Sequence, residues 1–406
     1  MSEHIQTIIV GGGQAGLSAS YCLSQRGCEN LVLEKADQPA SAWHSERWDS
    51  FTLVTPNWTM RLPGGEYRGS QPDGFMSREE LVAYFADYAE RNRLPVAYGV
   101  QVESVELDYG GYRVKAGSRD YWADNVIIAT GMFQKSKVPA FAVGLPADVA
   151  QIPSGKYRNP QALPPGVVLV VGSGQSGCQI ADELYRAGRK VYLCVGSTGR
   201  VPRRYRGRDI VEWLMKIGFF DRTADKLPSP QARFASSPHV TGKDGGRSLN
   251  LHQYYRDGVV LLGRLRSFQD GRFQIAADLM EKLANEDQIE ANIIKSIDSY
   301  NASNGLDAPE ESLPTLRDAY SSPQLSELDL KSAGVTSVIW AMGHSFDFSL
   351  VKLPVFDAAG MPVTQRCAAH PGLYFVGLPW LTAFKSGFLV GLAEDADLIA
   401  RQIAGD

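Results

Sequence analysis

Two glycine-rich turns with the same pattern constrain this chain of 406 residues more than any other feature. The first is GGGQAG (residues 11–16) and the second is GSGQSG (residues 172–177). Each follows a short β-branched run and precedes a stretch of helical periodicity, which is the context in which GxGxxG binds a dinucleotide. Because the two copies lie much too far apart for a solenoid repeat, they predict an α/β fold with two Rossmann-like dinucleotide-binding domains.

Each glycine of the pattern has its own physical role. The first allows the tight turn from strand to helix, the second lets the backbone approach a pyrophosphate, and the third lets helix and strand pack closely. The helix N-terminus adds free N–H groups and a positive dipole. The predicted phosphate-binding residues are Gly11, Gly13, Gln14, Ala15 and Gly16 in the first turn, and Gly172, Ser173, Gly174, Gln175, Ser176 and Gly177 in the second.

The residues after the second strand of each unit distinguish the two expected ligands. Glu34 follows the first turn at about the spacing, some 20 residues, where a carboxylate accepts hydrogen bonds from a ribose 2′-OH. Because that carboxylate repels a 2′-phosphate, the first site should hold the adenosine of FAD or NAD. The equivalent position in the second unit is Val195, and a run of arginines follows it.

Arginine forks match phosphate oxygens, so this run predicts that the second site selects NADPH. The candidate ligands are Arg200, Arg203 and Arg204, with Arg206 and Arg208 close behind them. The alternative is that this loop is solvated, or that its arginines pair with a strongly acidic segment at residues 277–330, which holds 12 acidic and 3 basic residues.

The repeats also predict the domain organisation. We expect a discontinuous FAD domain, residues 1–160 and 335–406, with an NADPH domain inserted at residues 165–334. Apolar residues at helical spacing predict a helix within the acidic segment at residues 277–330. A solvated helical subdomain is the expected role of that segment, and a partner-docking surface is the alternative.

Composition excludes several classes. A formal charge of −4 argues against nucleic acid as the main partner. No stretch approaches the roughly 20 apolar residues of a membrane helix, and no signal peptide precedes the first strand, so we expect a cytoplasmic protein. Five scattered cysteines form no CxxC, and neither they nor the six histidines suggest a metal site. A homo-oligomer remains possible.

The order of these motifs resembles the class B flavoprotein monooxygenases, which include the flavin-containing monooxygenases, the plant YUCCA enzymes and bacterial CzcO-like flavoproteins. The resemblance spans nearly the whole chain. It rests on GGGQAG, IIATG (residues 127–131), QIPSGKYRNP (151–160), GSGQSG and VIWAMG (338–343). The segments at residues 42–58, 200–214 and 373–381 are most similar to a bacterial subgroup often encoded beside a nitrilase.

The resemblance implies FAD and NADPH as cofactors, and small-molecule substrate and O2 as partners. In such enzymes a C4a-hydroperoxyflavin oxygenates the substrate, here a small nitrogen- or sulfur-containing compound. Asn57 is similar to an asparagine near the flavin C4a, although a Pro-Asn turn explains it equally well. The remaining predicted cofactor-binding residues are Lys35, Trp43, Arg47, Trp48, Val102, Ala129, Thr130 and Gly131, and either tryptophan could instead belong to the core.

Two residues depart from the family pattern. Pro153 replaces a histidine of the linker motif, which questions how tightly NADPH oxidation is coupled to oxygenation, and Met342 replaces the threonine of a second ATG-like segment. Because of Pro153, an NADPH oxidase or flavin reductase is the alternative function. A further alternative is a flavin-binding redox sensor associated with ion efflux, for which the acidic segment is the candidate docking surface.

Overall fold

The structure, a computed structural model, describes residues 3–235 and 237–406. Its α-helices are α1 (Gln14–Gln25), α2 (Ser41–Ser45), α3 (Arg78–Arg91), α4 (Gln175–Arg186), α5 (Ile210–Lys216), α6 (Leu251–Arg256), α7 (Leu279–Ser303), α8 (Leu330–Ala333) and α9 (Leu392–Ala404). Its strands are β1 (Glu3–Val10), β2 (Asn30–Glu34), β3 (Arg61–Leu62), β4 (Gly65–Glu66), β5 (Val96–Tyr98), β6 (Ser104–Asp108), β7 (Gly111–Ala116), β8 (Arg119–Ile128), β9 (Lys135–Ser136), β10 (Ala150–Pro153), β11 (Val167–Val171), β12 (Val191–Cys194), β13 (Arg204–Tyr205), β14 (Arg208–Asp209), β15 (Val240–Thr241), β16 (Arg247–Ser248), β17 (Val260–Leu262), β18 (Leu265–Gln269), β19 (Arg272–Ile275), β20 (Glu327–Asp329), β21 (Val335–Trp340), β22 (His344–Ser345), β23 (Ala368–His370) and β24 (Leu373–Phe375).

The first sheet is built around β1 and has the order β23-β24-β8-β1-β2-β5. Strands β5, β2, β1, β8 and β24 run parallel, and β6 and β7 add an antiparallel hairpin beside β8. The C-terminal half of β1 is buried, as expected for a central parallel strand covered on both faces. Helix α1 follows β1 directly and packs against α9.

The second sheet contains five parallel strands in the order β10-β21-β11-β12-β17. Its β11-α4-β12 unit repeats the β1-α1-β2 unit of the first sheet. In both units the glycine-rich turn joins a buried strand to the helix that follows it. The predicted α/β fold with two Rossmann-like units is confirmed.

The predicted domain boundaries were wrong for two strands. We expected residues 150–153 and 335–340 to belong to the FAD domain, but β10 and β21 pair in the second sheet. The physical reason is that β11 needs a parallel neighbour on the side away from β12, and β21 returns from the end of the insertion to fill that position. Pro153 is tolerated because β10 is an edge strand.

The chain crosses between the two sheets at one place. Strand β9 lies on the way from the first sheet to the second, β22 lies on the way back, and the two pair antiparallel through Ser136 and His344. Both connections therefore run side by side between the two dinucleotide-binding units.

The predicted helix of the acidic segment is α7, and it is not simply a solvated surface. Leu283, Ile293 and Ile297 of its apolar face are buried, and so is the charged residue Glu286. No helix in the described part of the chain is long and apolar enough to span a membrane.

Candidate functional site

The three glycines of the first turn have different surroundings. Gly11 has a φ of +111°, and a Cβ there would lie 2.6 Å from the Ala129 carbonyl oxygen. A Cβ on Gly16 would overlap the Gly11 carbonyl oxygen, so this glycine allows α1 to pack on β1. A Cβ on Gly13 would meet no atom within 4 Å. The space in front of Gly13, at the N-terminus of α1, is therefore open to a ligand.

The carboxylate of Glu34 lies beside this turn. Its Oε2 accepts a hydrogen bond from the Gly12 N–H at 2.6 Å, and its Oε1 accepts one from Ala36 at 2.9 Å. Glu34 is only half-buried, so its carboxylate remains accessible at the position where a ribose would lie. Lys35 is exposed beside it, and Val102 is half-buried in the loop that follows β5.

The second turn repeats this geometry. Gly172 has a φ of +108°, and a Cβ there would lie 2.5 Å from the Ala341 carbonyl oxygen. A Cβ on Gly177 would overlap the Gly172 carbonyl oxygen, as at Gly16. Gly174 corresponds to Gly13: its Cβ would only touch Thr198 Oγ1 at 3.6 Å. Both turns thus have one glycine that the protein itself does not require.

The polar side chains of the second turn fix the loops around it. Ser173 Oγ accepts a hydrogen bond from the Gly196 N–H at 2.9 Å. The side-chain amide of Gln175 bonds to both backbone groups of Val240. Ser176 is half-buried. We therefore assign Ser173 and Gln175 to positioning the turn, while Gly174 and the N-terminus of α4 face the predicted phosphates.

The two ATG-like segments occupy equivalent places in the two sheets. Ala129 follows β8 and supports Gly11, just as Ala341 follows β21 and supports Gly172. Gln134 Nε2 donates to Thr130 Oγ1 at 2.9 Å and to the Gly131 carbonyl oxygen at 2.8 Å. Each glycine-rich turn is therefore supported by the segment after the neighbouring strand.

The structure contradicts the prediction that Arg200 and Arg203 bind a 2′-phosphate. Both side chains are buried, and carboxylates already neutralise them. Arg200 Nη2 lies 2.7 Å from both Asp287 and Glu290 of α7. The Arg203 guanidinium binds the Asp209 carboxylate and donates to the Val54 carbonyl oxygen at 2.8 Å. The alternative interpretation, that the acidic segment pairs with this basic loop, is the correct one for Arg200.

The other arginines of the loop also form hydrogen bonds or ion pairs within the protein. Arg204 is exposed and donates to the carbonyl oxygens of Gly245 and Gly246, at 2.9 and 3.1 Å. Arg206 and Arg208 bind carboxylates of α7 and α5. Of the three predicted phosphate ligands, Arg204 alone has no carboxylate partner among the described residues, and its hydrogen bonds are to the loop between β15 and β16.

The three residues predicted around the flavin differ in their surroundings. Trp48 is buried and packs edge-on against Phe51, so its assignment to the cofactor is corrected to the core. Trp43 is half-buried and stacks on Phe85. The Arg47 guanidinium lies 5.1 Å from the centre of the Trp43 ring, and it has no carboxylate partner in the described part of the chain.

Arg47 also lies beside the crossing between the sheets. Its guanidinium is 5.3 Å from the centre of the Phe133 ring, and Phe133 packs edge-on against His344 of β22. Burial lowers the pKa of Arg47. An unpaired cation among aromatic rings is a suitable partner for an anionic ligand group.

Asn57 does not have the role predicted for it. Its Nδ2 donates to the Gln71 carbonyl oxygen at 3.0 Å, and its Oδ1 accepts from the Met76 N–H at 2.8 Å. The residue is buried. The amide therefore fixes the loop at residues 71–76, and Asn57 is a structural residue rather than a donor to the flavin.

One residue of the first site received no role from the sequence. Gly377 follows β24 with a φ of +78°, and a Cβ there would lie 2.5 Å from the Ala15 Cβ. It lets the C-terminal segment reach the first turn of α1. A glycine just beyond the last parallel strand was the available signal, since ligands bind at the carboxyl ends of such strands.

A family profile described as pyridine nucleotide-disulphide oxidoreductase matches residues 8–214, which is more than half of the chain. A CzcO-like oxidoreductase of Geobacillus kaustophilus is 30% identical over 99% of both chains. The chain belongs to this oxidoreductase family.

Two further comparisons are with monooxygenases. The probable indole-3-pyruvate monooxygenase YUCCA1 of Arabidopsis thaliana is 33% identical over 49% of both chains. A flavin-containing monooxygenase of Stenotrophomonas maltophilia has the same fold, with a TM-score of 0.67 at 20% identity over 99% of both chains. The resemblance to class B flavoprotein monooxygenases is confirmed, and the chain is a flavin-dependent oxidoreductase with FAD and a nicotinamide dinucleotide as cofactors.

The cysteines of this oxidoreductase are poorly suited to disulfide chemistry. All five are free, and four of them are buried. Burial raises the pKa of Cys22 to about 12 and also raises the pKa of Cys178, Cys194 and Cys367. Because the thiolate is the reactive form, these groups favour a role in packing.

The geometry around Asn57 gives a first prediction. Replacing Asn57 with alanine removes the partners of a buried N–H and a carbonyl oxygen, so we expect a loss of about 1–3 kcal/mol in the free energy of unfolding. Urea denaturation measures this loss. At saturating NADPH the rate of flavin reduction should stay within about twofold of wild type, because the Asn57 amide bonds to the loop at residues 71–76. A twofold change in rate corresponds to less than about 1 kcal/mol. An intact stability with strongly impaired flavin chemistry would restore the catalytic assignment.

Proposed function

We propose that the protein is an FAD-dependent monooxygenase that takes electrons from NADPH and uses O2 to oxygenate a small nitrogen- or sulfur-containing substrate. The observation that carries this proposal is the duplicated turn geometry. Both Gly13 and Gly174 leave open the approach to a helix N-terminus, and each belongs to its own parallel sheet. One dinucleotide fits each turn.

The residues at the two turns fit the two cofactors differently. Glu34 offers the first ribose a carboxylate, which suits FAD. Val195 offers the second ribose no carboxylate, so a 2′-phosphate meets no repulsion there. We therefore keep NADPH as the preferred electron donor, although Arg200 and Arg203 are not its phosphate ligands.

The reaction needs the two cofactors to meet. A bound flavin would supply the redox chemistry that links the nicotinamide to O2. The β9–β22 crossing lies between the two units, and Arg47 beside it can bind an anionic group of a cofactor or substrate. The rings of Trp43 and Phe133 flank the Arg47 guanidinium there.

An NADPH oxidase is the second candidate function, and Pro153 favours it. Pro153 pairs with Trp340 at the end of the edge strand β10 and cannot supply the proton or hydrogen bond of the histidine that it replaces. The redox sensor has less support, because α7 uses acidic residues of the proposed docking surface to bind Arg200.

One experiment separates monooxygenase from oxidase. The FAD-loaded protein is mixed with NADPH without oxygen, and the loss of flavin absorbance is followed. With oxygen present, H2O2 released per NADPH consumed is then measured across a panel of amines and thioethers. A monooxygenase releases less than one H2O2 per NADPH with its substrate and yields a product that has gained one oxygen atom.

A matched control is Gly174→Ala, which should keep FAD but lose reduction by NADPH. Equal H2O2 and NADPH with every compound would identify an oxidase. A flavin that NADPH does not bleach would contradict both candidate functions.

A further inference from the structure

A buried ionic cluster lies behind the second dinucleotide turn. Glu286 of α7 is fully buried, and its Oε1 lies 3.1 Å from Nε2 of His239, which is also fully buried. Its Oε2 lies 3.9 Å from Arg200 Nη1. Charged groups without access to water are costly unless they are paired, so these three residues constrain one another.

His239 joins this cluster to the phosphate-binding turn. Its Nδ1 lies 3.7 Å from Sγ of Cys178, which is in the first turn of α4. The Cys178 thiol donates to the Ser173 carbonyl oxygen at 3.2 Å, within GSGQSG itself. A line of contacts therefore leads from the acidic helix to the turn that would hold a pyrophosphate.

The same cluster also holds the loop that follows β12. The backbone N–H of His239 donates to the Gly199 carbonyl oxygen at 3.0 Å, and Arg200 is the next residue of that loop. A Cβ on Gly199 would collide with Ile289 of α7, so the loop lies directly on the helix. Thr198, which faces Gly174, belongs to this loop.

We propose that Glu286 is a positioning residue for the nicotinamide dinucleotide, fixing through His239 and Arg200 both the phosphate-binding turn and the ribose-facing loop. It contacts no ligand itself. The inference rests on the proposed binding of NADP(H) at the second turn, but it does not depend on whether the enzyme oxygenates a substrate.

The charges around His239 support this role. Burial by itself lowers the pKa of His239, whereas the contacts with Cys178 and the Glu286 carboxylate raise it above its ordinary value. The titratable and charged groups that face His239 are Cys178 from α4, Arg200 from the loop after β12 and Glu286 from α7. Burial raises the pKa of Cys178, so the thiol stays neutral and His239 and Glu286 form the ion pair.

The test compares Glu286→Gln with Glu281→Gln in the FAD-loaded protein. Glu281 is on the same helix and exposed, and within residues 3–235 and 237–406 its ion pair is with Lys282 alone. We expect Glu286→Gln to weaken NADP⁺ binding about tenfold, equivalent to about 1.4 kcal/mol, with FAD content and the rate of flavin reduction at saturating NADPH unchanged. Glu281→Gln should bind NADP⁺ as wild type does. Calorimetry with NADP⁺ gives the Kd, and anaerobic stopped flow gives the rate.

The pH dependence separates positioning from general destabilisation. Without the Glu286 charge, burial lowers the pKa of His239 below its ordinary value of about 6.5. Protonation then leaves a poorly compensated buried cation, so the ratio of the variant Kd to the wild-type Kd should rise as the pH falls from about 8 to 5. The 2′-phosphate of NADP⁺ also titrates in this range, but it affects both Kd values equally and therefore cancels in their ratio.

A second variant covers the case in which Glu286→Gln does not fold. His239→Gln keeps an amide donor toward Glu286 and has no titrating ring, so it should weaken NADP⁺ binding without that pH dependence. A Kd within twofold of wild type in the folded Glu286→Gln protein, or the same pH dependence in His239→Gln, would overturn the proposal. Wild-type protein that does not bind NADP⁺ would instead contradict the proposed function.

Discussion

Gly13→Ala is expected to give a folded protein that does not retain FAD. The added methyl group meets no protein atom within 4 Å, so the fold has no reason to lose stability. It occupies the space through which a pyrophosphate must approach the N-terminus of α1. Flavin per protein after purification, read from the absorbance spectrum, should fall from near one to near zero. The far-UV circular dichroism and the urea midpoint of the FAD-free proteins should match.

Gly16→Ala is the matched control for this change. It adds the same methyl group three residues later, but there the methyl overlaps the Gly11 carbonyl oxygen. Helix α1 would have to move away from β1, so we expect this variant to misfold or to lose several kcal/mol in the free energy of unfolding. Overpacking typically costs about 1–3 kcal/mol even where side chains can adjust, and here the clash is with backbone. A Gly13→Ala protein that keeps stoichiometric flavin would show that the first turn does not hold the pyrophosphate.

The glycine-rich turns could be predicted because everything that defines them is local. Strand, turn and helix follow one another within a short stretch, and the glycines that need positive φ or close packing lie inside the motif. The same holds for Glu34, whose distance from the turn is set by one helix and one strand. Predictions of this kind depend on few contacts with distant parts of the chain.

The arginines could not be assigned in the same way. Arg200 is about as likely to meet a phosphate as a carboxylate on sequence grounds, because its partners Asp287 and Glu290 lie far along the chain. Pairing with the acidic segment at residues 277–330 was one alternative for this arginine run, but the sequence did not decide which arginines would pair with it. Only the packing of α7 against the loop after β12 decides it.

The remaining errors have related causes. Residues 150–153 and 335–340 were placed in the wrong domain because sheet order is a long-range property, whereas domain limits were inferred from motif positions. Asn57 and Trp48 lie in a segment that resembles a flavin-binding region, yet burial turns both side chains inward. In each case a residue type permitted two roles and the tertiary contacts selected the structural one.

Arg200→Ala is expected to reduce stability rather than coenzyme selectivity. The substitution leaves the carboxylates of Glu286, Asp287 and Glu290 without their shared cation, and Glu286 is fully buried. Removing one partner from a buried ion pair costs about 3–5 kcal/mol. Urea denaturation should show a loss of this size at pH 7. Any loss of affinity should be the same for NADPH and NADH, because the guanidinium does not reach the 2′-phosphate.

Arg208→Ala is the control, since its pair with Glu212 is partly exposed, at 38% and 34% of the two side chains, and should contribute at most about 1 kcal/mol. The pH dependence gives a further check. Burial opposes the shift, but the hydrogen bonds from Tyr320 and Arg200 lower the pKa of Asp287 in the folded protein. The stability that this carboxylate contributes is therefore present above its unfolded pKa of about 3.9, and it is lost as the pH falls through the lower pKa of the folded state. Without Arg200 that pKa rises, and the deficit of the variant should shrink as the pH approaches 4. A stable variant with a higher KM for NADPH alone would show instead that Arg200 leaves the acidic helix to bind the coenzyme.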